Sequence, residues 1–497
     1  MSSAVVSYSW PSNLPEWDPA NQKGGNPQEI NVNAPYVGIE FEYVYQVIMG
    51  MFVMLIVPGI GLLYGGMSRR KSALAMIFQS MTVMAICTFQ WMFWGFSLAF
   101  SRDGGPFIGT LSNFGLRNVL AAPSWGSAVL PDIVFCFYEL MFCACATMIV
   151  VGGSFERGRI VPSMVFGFLW ATICYCPIAY WTWNANGWLF NLPALDFAGG
   201  GPVHISSGTA GLAYALVIGK RRALHEKHIY KPHNVTIVFL GTVLIWFGWF
   251  GFNGGSALNA SVRAMVAVWN TNCACCMGIL GWQLVAYFRY GRKFSVIGAC
   301  EGAIAGLVGI TPAAGYVSPW LGAAIGFITG IVVALFENVN DWLGIDDGLE
   351  VFKLHGIGGM CGAFLTGIFA DQAISALDGI PTLAPGGVNG VGAQIARQLG
   401  EIAAIASWSF TCSVIMLMVM KYIPGLHLRV QDEVEEVGLD LDQFHDEVIG
   451  EWALYEANDA ETRRRSITHG IPVAAPLDSG SSSSGPDKVV EKADGAD

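Results

Sequence analysis

The stretch YVYQVIMGMFVMLIVPGIGLLYGGMS (43–68), followed by RRK (69–71) and then SALAMIFQSMTVMAICTFQWMFWGFSLAFS (72–101), decides the fold. Two long runs without a charge flank three consecutive cations. Each run exceeds the ~20 residues needed to cross a ~30 Å hydrocarbon layer, which is more than a helix in a soluble core requires. Uncharged runs of the same kind recur at 160–195, 197–219, 232–262 and 264–288. Splitting them at charges, Pro and Gly gives eleven helices, near 43–66, 72–100, 131–152, 160–183, 200–219, 235–256, 265–288, 296–311, 318–336, 354–370 and 394–422. The expected fold is an all-α polytopic membrane protein.

Composition agrees. Of 497 residues, 53% are hydrophobic and 13% charged, about half the charged fraction of a soluble domain. The net charge of −11 is not spread along the chain: residues 1–422 carry 20 basic and 20 acidic residues, whereas 423–497 carry 6 and 17. Three parts follow: a polar N-terminal segment (1–40), a neutral apolar body (41–422) and an acidic tail (423–497). The first segment lacks the basic and apolar regions of a cleaved signal peptide. The 12 Cys residues lie almost wholly in apolar runs at spacings that match no zinc site. They read as small core- or lipid-facing residues, with no metal or disulfide expected.

Loop charges orient the bundle. Arg69, Arg70, Lys71, Arg157, Arg159, Lys220, Arg221, Arg222, Lys227, Lys231, Arg289, Arg292, Lys293 and Lys353 fall in alternate loops, against Lys23, Arg102, Arg117, Arg263 and Arg397 on the other side. The positive-inside rule puts the N-terminus outside and the tail in the cytoplasm. Simple capping of helix ends would not produce this alternation.

His204 in VHISSG and His355 in LHGIGG occupy the fifth and tenth spans, each followed four residues later by Gly. Five spans per half is odd, so a second copy enters the membrane inverted, the arrangement whose site lies between the repeats. Intramembrane ionisable residues are functional candidates by default. Two neutral imidazoles in contact can each donate and accept, and so pass a proton where a fixed charge would be too costly. Taken singly, each histidine reads as a backbone-bonded residue at a Gly-rich crossing; as a pair they do not. Asp196, in DFAGGGPVH, either attracts a cation or binds the amides of its Gly-rich stretch, and the residues alone favour the second. Asp132, Glu139 and Glu301 read as structural, and Arg397 and Glu401 stand four apart on one helix, spaced to pair.

Several of the 17 Trp residues sit at span ends, as in WTW (181–183). An aromatic belt accounts for most of them, and a cation-π cage is the alternative at the outer mouth. In GWFGFNGGSAL (248–258) aromatics alternate with small residues beside one hydroxyl, Ser256, which suits a narrow, dry pore. The 61 Gly residues point to close helix packing.

At DFAGGGPVHISSG (196–208), GWFGFNGGSAL (248–258) and DDGLEVFKLHGIGG (346–359) the sequence resembles the ammonium transporter family of bacterial, plant and fungal permeases and Rh glycoproteins. The likeness runs from about residue 40 to 425. With YELMF (138–142) and the long tail, it is most like the fungal permeases. The resemblance implies a plasma-membrane homotrimer, each subunit an eleven-helix bundle of two inverted five-helix halves with its own pore. It assigns Phe142 and Phe252 to a stacked phenyl gate, and Trp183, Phe142 and Ser256 to an outer recruitment site with Asp196 beneath it. His204 and His355 take the place of the twin-histidine pair. The segment between Trp183 and Asp196 is one residue longer than usual, with NANG replacing a Gly-rich turn, and Tyr180 stands where many members have His. Trp181 is therefore the alternative to Trp183.

The expected function is transport of ammonium, with methylammonium as an analogue. The cation is held at the outer site and deprotonated, and ammonia is conducted past the phenyl gate and the histidines, with proton co-transfer left open. A neutral gas channel and an ammonium receptor signalling through the tail are the rivals. No nucleophile triad, phosphate-binding loop or dinucleotide motif supports an enzyme, and no cofactor or nucleic-acid partner is expected. In the tail, Leu439, Leu441, Phe444, Val448, Trp452 and Tyr455 recur at roughly helical spacing, an amphipathic docking segment. Arg463, Arg464 and Arg465 precede Ser466, a pattern suited to a basophilic kinase, and the Ser/Gly/Pro-rich end after about 470 is expected to be disordered.

Overall fold

The computed structural model describes residues 36, 38–222, 231–379 and 384–445. Among these every regular element is helical, with two isolated backbone bridges, Pro123–Pro131 and Gly158–Arg429. The main helices in chain order are α1 (Glu40–Met67), α2 (Arg70–Phe100), α3 (Asp132–Ser154) and α4 (Ile160–Asn191). Next comes α5, with segments Gly200–Ile205 and Ser206–Ile218, then α6 (Val235–Gly255) and α7 (Val262–Arg289). The last four are α8 (Val296–Ile310), α9 (Pro319–Leu335), α10 (Phe352–Phe369) and α11 (Ala393–Tyr422). Seven of them, α1–α4, α6, α7 and α11, are long and apolar enough to cross a bilayer. An eighth is reached if α10 is counted with Gln372–Asp378, to which it is bent by 96°. Each of the eleven expected spans thus coincides with a helix, but not all are uniform rods. α8 and α9 have 15 and 17 residues, about 23 and 26 Å at the α-helical rise.

Why these sequences are apolar on every side is visible in their surroundings. α7 and α11 present Met265, Trp269, Phe288, Ile415 and Val419 outward, all more than half exposed in the isolated subunit, as a helix facing lipid or another subunit must. Inward faces approach through glycine. A Cβ on Gly208 of α5 would overlap the backbone of Gly356 of α10, so the two helices cross with no side chain between them. Both begin with π-helical turns, Gly200–Ile205 and Phe352–Ile357. The matching irregularity in helices five and ten parallels the duplicated histidine motifs.

One face of the bundle is knitted by charge. Buried Glu156 bridges Arg69 (3.0 Å) and Arg221 (2.6 Å), and Arg221 makes a second ion pair with Asp346 (2.8 Å). Arg157, fully buried, donates to the Asp346 and Gly219 carbonyls. Burial opposes ionisation of Asp346, but hydrogen bonds and charge from Arg221 outweigh it and hold the carboxyl down at about 2. The start of the tail packs on this face as two short helices, α12 (Asp432–Val437) and α13 (Leu439–Gln443). Gly438, at φ +113°, separates the two, and α13 stops at Gln443 with Phe444 extended, so the amphipathic helix that the spacing predicts from Leu439 onward does not continue through Phe444. Asp440 accepts the amides of Leu74 (3.0 Å) and Ala75 (2.8 Å) in the first turns of α2, where the helix dipole favours an anion. Glu435 receives Arg429 and the Arg222 amide, both at 2.6 Å. Leu439 is buried and Phe444 meets the ring of Phe78 edge-on at 5.1 Å, whereas Leu441 is exposed. Val448, Trp452, Tyr455 and Ser466 lie outside the described residues.

Some ionisable residues have the structural partners expected of them: Asp132 with Arg102 (3.5 Å) and Glu301 with Lys353 (3.0 Å). The Arg397–Glu401 pair does not form. Arg397 donates to Gln394 (2.9 Å), while Glu401 is fully buried and accepts from Gln398 (2.9 Å). The i,i+4 rule describes exposed helix faces, and Glu401 is turned into the bundle.

Two outcomes follow. Gly208→Leu, which forces a branched side chain into a backbone contact, is expected to prevent accumulation of folded protein; monodisperse protein at wild-type yield on size-exclusion chromatography would contradict this. Arg221→Met strands the carboxylates of Glu156 and Asp346, and the expected loss is about 3–5 kcal/mol. Because the folded-state value of Asp346 lies below the ordinary ~3.9, its share of stability is present above about pH 4 and lost as pH falls toward about 2. Thermal unfolding in detergent across that window should show the loss in the native protein and little of it in Arg221→Met.

Candidate functional site

The sequence-predicted residues converge on one column through the bundle. Phe142 comes from the middle of α3 and Phe252 from α6; their rings stack with centroids 4.1 Å apart and planes 28° apart, and both are buried. Trp183, near the end of α4, stands edge-on to Phe142 at 6.0 Å. On the other side of Phe252 comes His204, 5.9 Å away, and then His355, whose Nδ1 is 3.3 Å from Nδ1 of His204. Five helices therefore contribute: α3, α4, α5, α6 and α10.

Local sequence explains each placement. His204 and His355 sit inside the two π-helical turns, and widened turns of this kind project side chains that a regular helix would aim elsewhere. The Gly208–Gly356 crossing brings those turns together. Trp249 stacks on the His204 ring at 5.3 Å and 14°, fixed by its own indole N–H to Thr311 (3.0 Å). The chain between Trp183 and α5 is folded around Asp196. Its carboxylate accepts the amides of Gly199 (2.8 Å), Gly200 (2.7 Å) and Gly201 (2.7 Å), and Gly199 takes the left-handed φ of +103° that this wrap requires. The Trp183 indole donates to the Asp196 carbonyl (3.1 Å), so the end of α4 is tied to the start of α5.

Ser256 lies at the end of α6, its hydroxyl donating to the Phe252 carbonyl (2.8 Å) and 3.3 Å from the Tyr138 hydroxyl. Trp181 is elsewhere: its indole donates to the Phe107 carbonyl (2.6 Å) and its ring packs on Phe107, Trp188 and Trp408. Of the two candidates, only Trp183 faces Phe142.

The chemistry available is restricted. Two Nδ1 atoms in contact share one hydrogen, so one imidazole donates and the other accepts, and exchanging tautomers reverses the roles. Nε2 of His204 is buried with no protein partner, leaving it for whatever occupies the column. Among the described residues no cluster of His, Cys, Asp and Glu has the geometry to hold a metal.

A model of the Ammonium Transporter Family matches residues 44–449. The chain belongs to the ammonium transporter family. It is similar to ammonium transporter 1 of Schizosaccharomyces pombe, with 45% identity over 466 residues, covering 94% of this chain and 92% of that one. Ammonium transporter MEP2 of Saccharomyces cerevisiae is 48% identical over 441 residues, 87% of each chain. The crystal structure of Candida albicans Mep2 matches with a TM-score of 0.79 at 43% identity, covering 88% of this chain and 94% of that one.

In this ammonium transporter three participants escaped sequence reasoning. Tyr138, one turn before Phe142, reaches the Gly251 and Phe252 carbonyls (3.0 and 2.8 Å) and so ties α3 to α6 behind the stacked rings. Its place at i−4 from Phe142 was the available signal. Trp249, at i−3 from Phe252, was equally visible in GWFGF. Glu401 was read only as a partner for Arg397, and, standing 205 residues beyond Asp196, it gave no local sign of its place beside that loop.

Asp196→Ala leaves three buried amides without an acceptor, at about 1–3 kcal/mol each. The transporter is expected to unfold at markedly lower temperature, with Asp196→Asn recovering part of the loss. Unchanged thermal stability of the alanine variant would show that those bonds contribute nothing.

Proposed function

We propose that this transporter recruits ammonium at Trp183, Phe142 and Ser256, deprotonates it there with Asp196 beneath, and conducts ammonia past Phe142 and Phe252 along His204 and His355. The observation that carries the reading is the stacked phenyl pair lying directly against a contacting pair of imidazoles in a member of this family. Hydrated ammonium is too strongly solvated for an apolar constriction, whereas neutral ammonia crosses at little cost. Potassium has no proton to shed, so the same constriction excludes it. The Trp183 and Phe142 rings offer a cation-π surface, a desolvated contact of this kind contributing about 2 kcal/mol or more.

The body, residues 41–422, is read as eleven spans in two inverted halves, N-terminus outside and tail inside, in a plasma-membrane homotrimer. Support comes from the alternation of basic loops, from the π turns shared by helices five and ten, and from the outward apolar faces of α7 and α11. Residues 423–497 are read as a regulatory tail. Phosphate on Ser466 by a basophilic kinase would add charge beside an acidic segment whose Asp440 and Glu435 are already engaged, and so shift its docking.

The test is uptake and current in liposomes holding purified protein. Ammonium and methylammonium are expected to give saturable uptake, and potassium none. Trp183→Leu and Ser256→Ala should raise KM about tenfold, one hydrogen bond or cation-π contact being worth ~1.4 kcal/mol, while leaving folded protein intact. Equal uptake by these variants would favour a neutral gas channel. Ammonia uptake without current would remove proton co-transfer and leave the rest. Truncation after residue 445 separates transport from any receptor role, since a receptor loses its signal and keeps its uptake.

A further inference from the structure

The buried carboxyl of Glu401 has no place in the conduction scheme, and its surroundings give it one. Glu401 lies on α11 with no exposure to solvent. Gln398 clamps this part of α11 to the Asp196 loop, accepting the Leu195 amide (2.7 Å) and donating to the Leu195 carbonyl (2.8 Å) and to Glu401 Oε2 (2.9 Å). That leaves Oε1 of Glu401, which is buried and receives no donor. It lies on the side of Asp196, whose Oδ2 is its neighbour across Gly201. Both crowd the same point of the backbone: a Cβ on Gly201 would meet Glu401 Oε1 at 2.9 Å and Asp196 Oδ2 at 3.2 Å.

Among the described residues no cation is paired with either carboxyl. Arg397, one turn away, is turned to Gln394. Arg263 is paired with Asp378 (2.6 Å) and lies over Phe197 and Tyr316. Tyr316 is the other titratable group near both carboxyls, and it is neutral. Two ionised carboxylates side by side inside a membrane protein, without a counter-ion, are untenable, so one proton must lie between them. Which oxygen carries it follows from the donors. Asp196 is held by three amides, each stabilising its ionised form. Glu401 has one amide donor, on its other oxygen.

We propose that Glu401 is carried as a neutral acid whose Oε1–H donates to Asp196 Oδ2, so that the two form a one-proton pair beneath the recruitment site. Glu401 is then a positioning residue, acting on the substrate only through Asp196. The protonated acid supplies Asp196 with a fourth donor and keeps the charge of the pair at minus one. This inference rests on the reading of Asp196 as part of the outer site.

The test combines infrared spectroscopy with transport by the full-length protein in liposomes. The native protein should show the carbonyl stretch of a protonated, deuterium-exchangeable carboxylic acid as a native-minus-Glu401→Gln difference band, which separates it from any band of buried Glu139. Glu401→Leu, which removes the donor, should raise KM for methylammonium about tenfold, the weight of one hydrogen bond to a charged group, and Glu401→Gln, whose amide can still donate, should recover most of that loss. Absence of that difference band overturns the proposal, as does a leucine variant with native KM. If Glu401→Leu yields no folded protein, the infrared comparison of native and glutamine forms decides alone. Asp196→Asn separates the two levels: native transport in that variant removes Asp196 from the outer site, whereas the difference band between native and Glu401→Gln protein reports independently whether the shared proton exists.

Discussion

The crossing of α5 and α10 at Gly208 and Gly356 sets the spacing on which the rest of the site depends. Helices joined by ordinary side chains pack 8–10 Å apart, too far to bring two imidazoles on facing turns into contact without bending their rotamers. Removing every side-chain atom from the crossing point allows backbone against backbone, and the π turns then direct His204 and His355 toward one another. Trp249 completes the arrangement by stacking on His204, and Phe252, one turn further along α6, carries the column to the stacked pair it forms with Phe142. A close approach that serves packing in most membrane helices here also fixes a distance between reactive nitrogens.

Much of this was legible in the residues themselves. Long uncharged runs and alternating basic loops disclosed the helices, and the repeated His-x-x-x-Gly spacing disclosed which two helices matter. What escaped belongs to a few physical causes. A π turn has no sequence signature, because its poorer backbone geometry is stabilised by the neighbours that pack around it. The placement of Glu401 beside Asp196 joins positions more than two hundred residues apart, and the local spacing rule pointed to Arg397 instead. The tail helix ends at Gln443 with Phe444 in extended backbone, and side-chain periodicity, which ignores backbone angles, read across it. Trp181 and Trp183 could be told apart only when the fold showed which ring meets Phe142 and which meets Phe107.

Charge is used differently at the two ends of the bundle. Around Arg221, Glu156 and Asp346, opposite charges meet directly and the cost of burial is offset by well-formed ion pairs. Around Asp196 the compensating groups are backbone amides and another acid. The first device ties four segments of chain together and extends to the tail through Arg69 and Glu435. The second holds its acids without an ion-pair partner among the described residues.

The π turns carry a further consequence for how such a protein can change over time. Each holds one residue more than an α-helical turn, so a single deletion within 200–205 or 352–357 would restore a regular turn and change which residue of that turn is projected toward the other helix, while the rest of the helix keeps its facing. Substitution can exchange side chains in these helices one at a time and leave the pore's framework standing. Insertion and deletion cannot, because the pairing of the histidines is counted out in residues along the backbone as much as it is written in their identity.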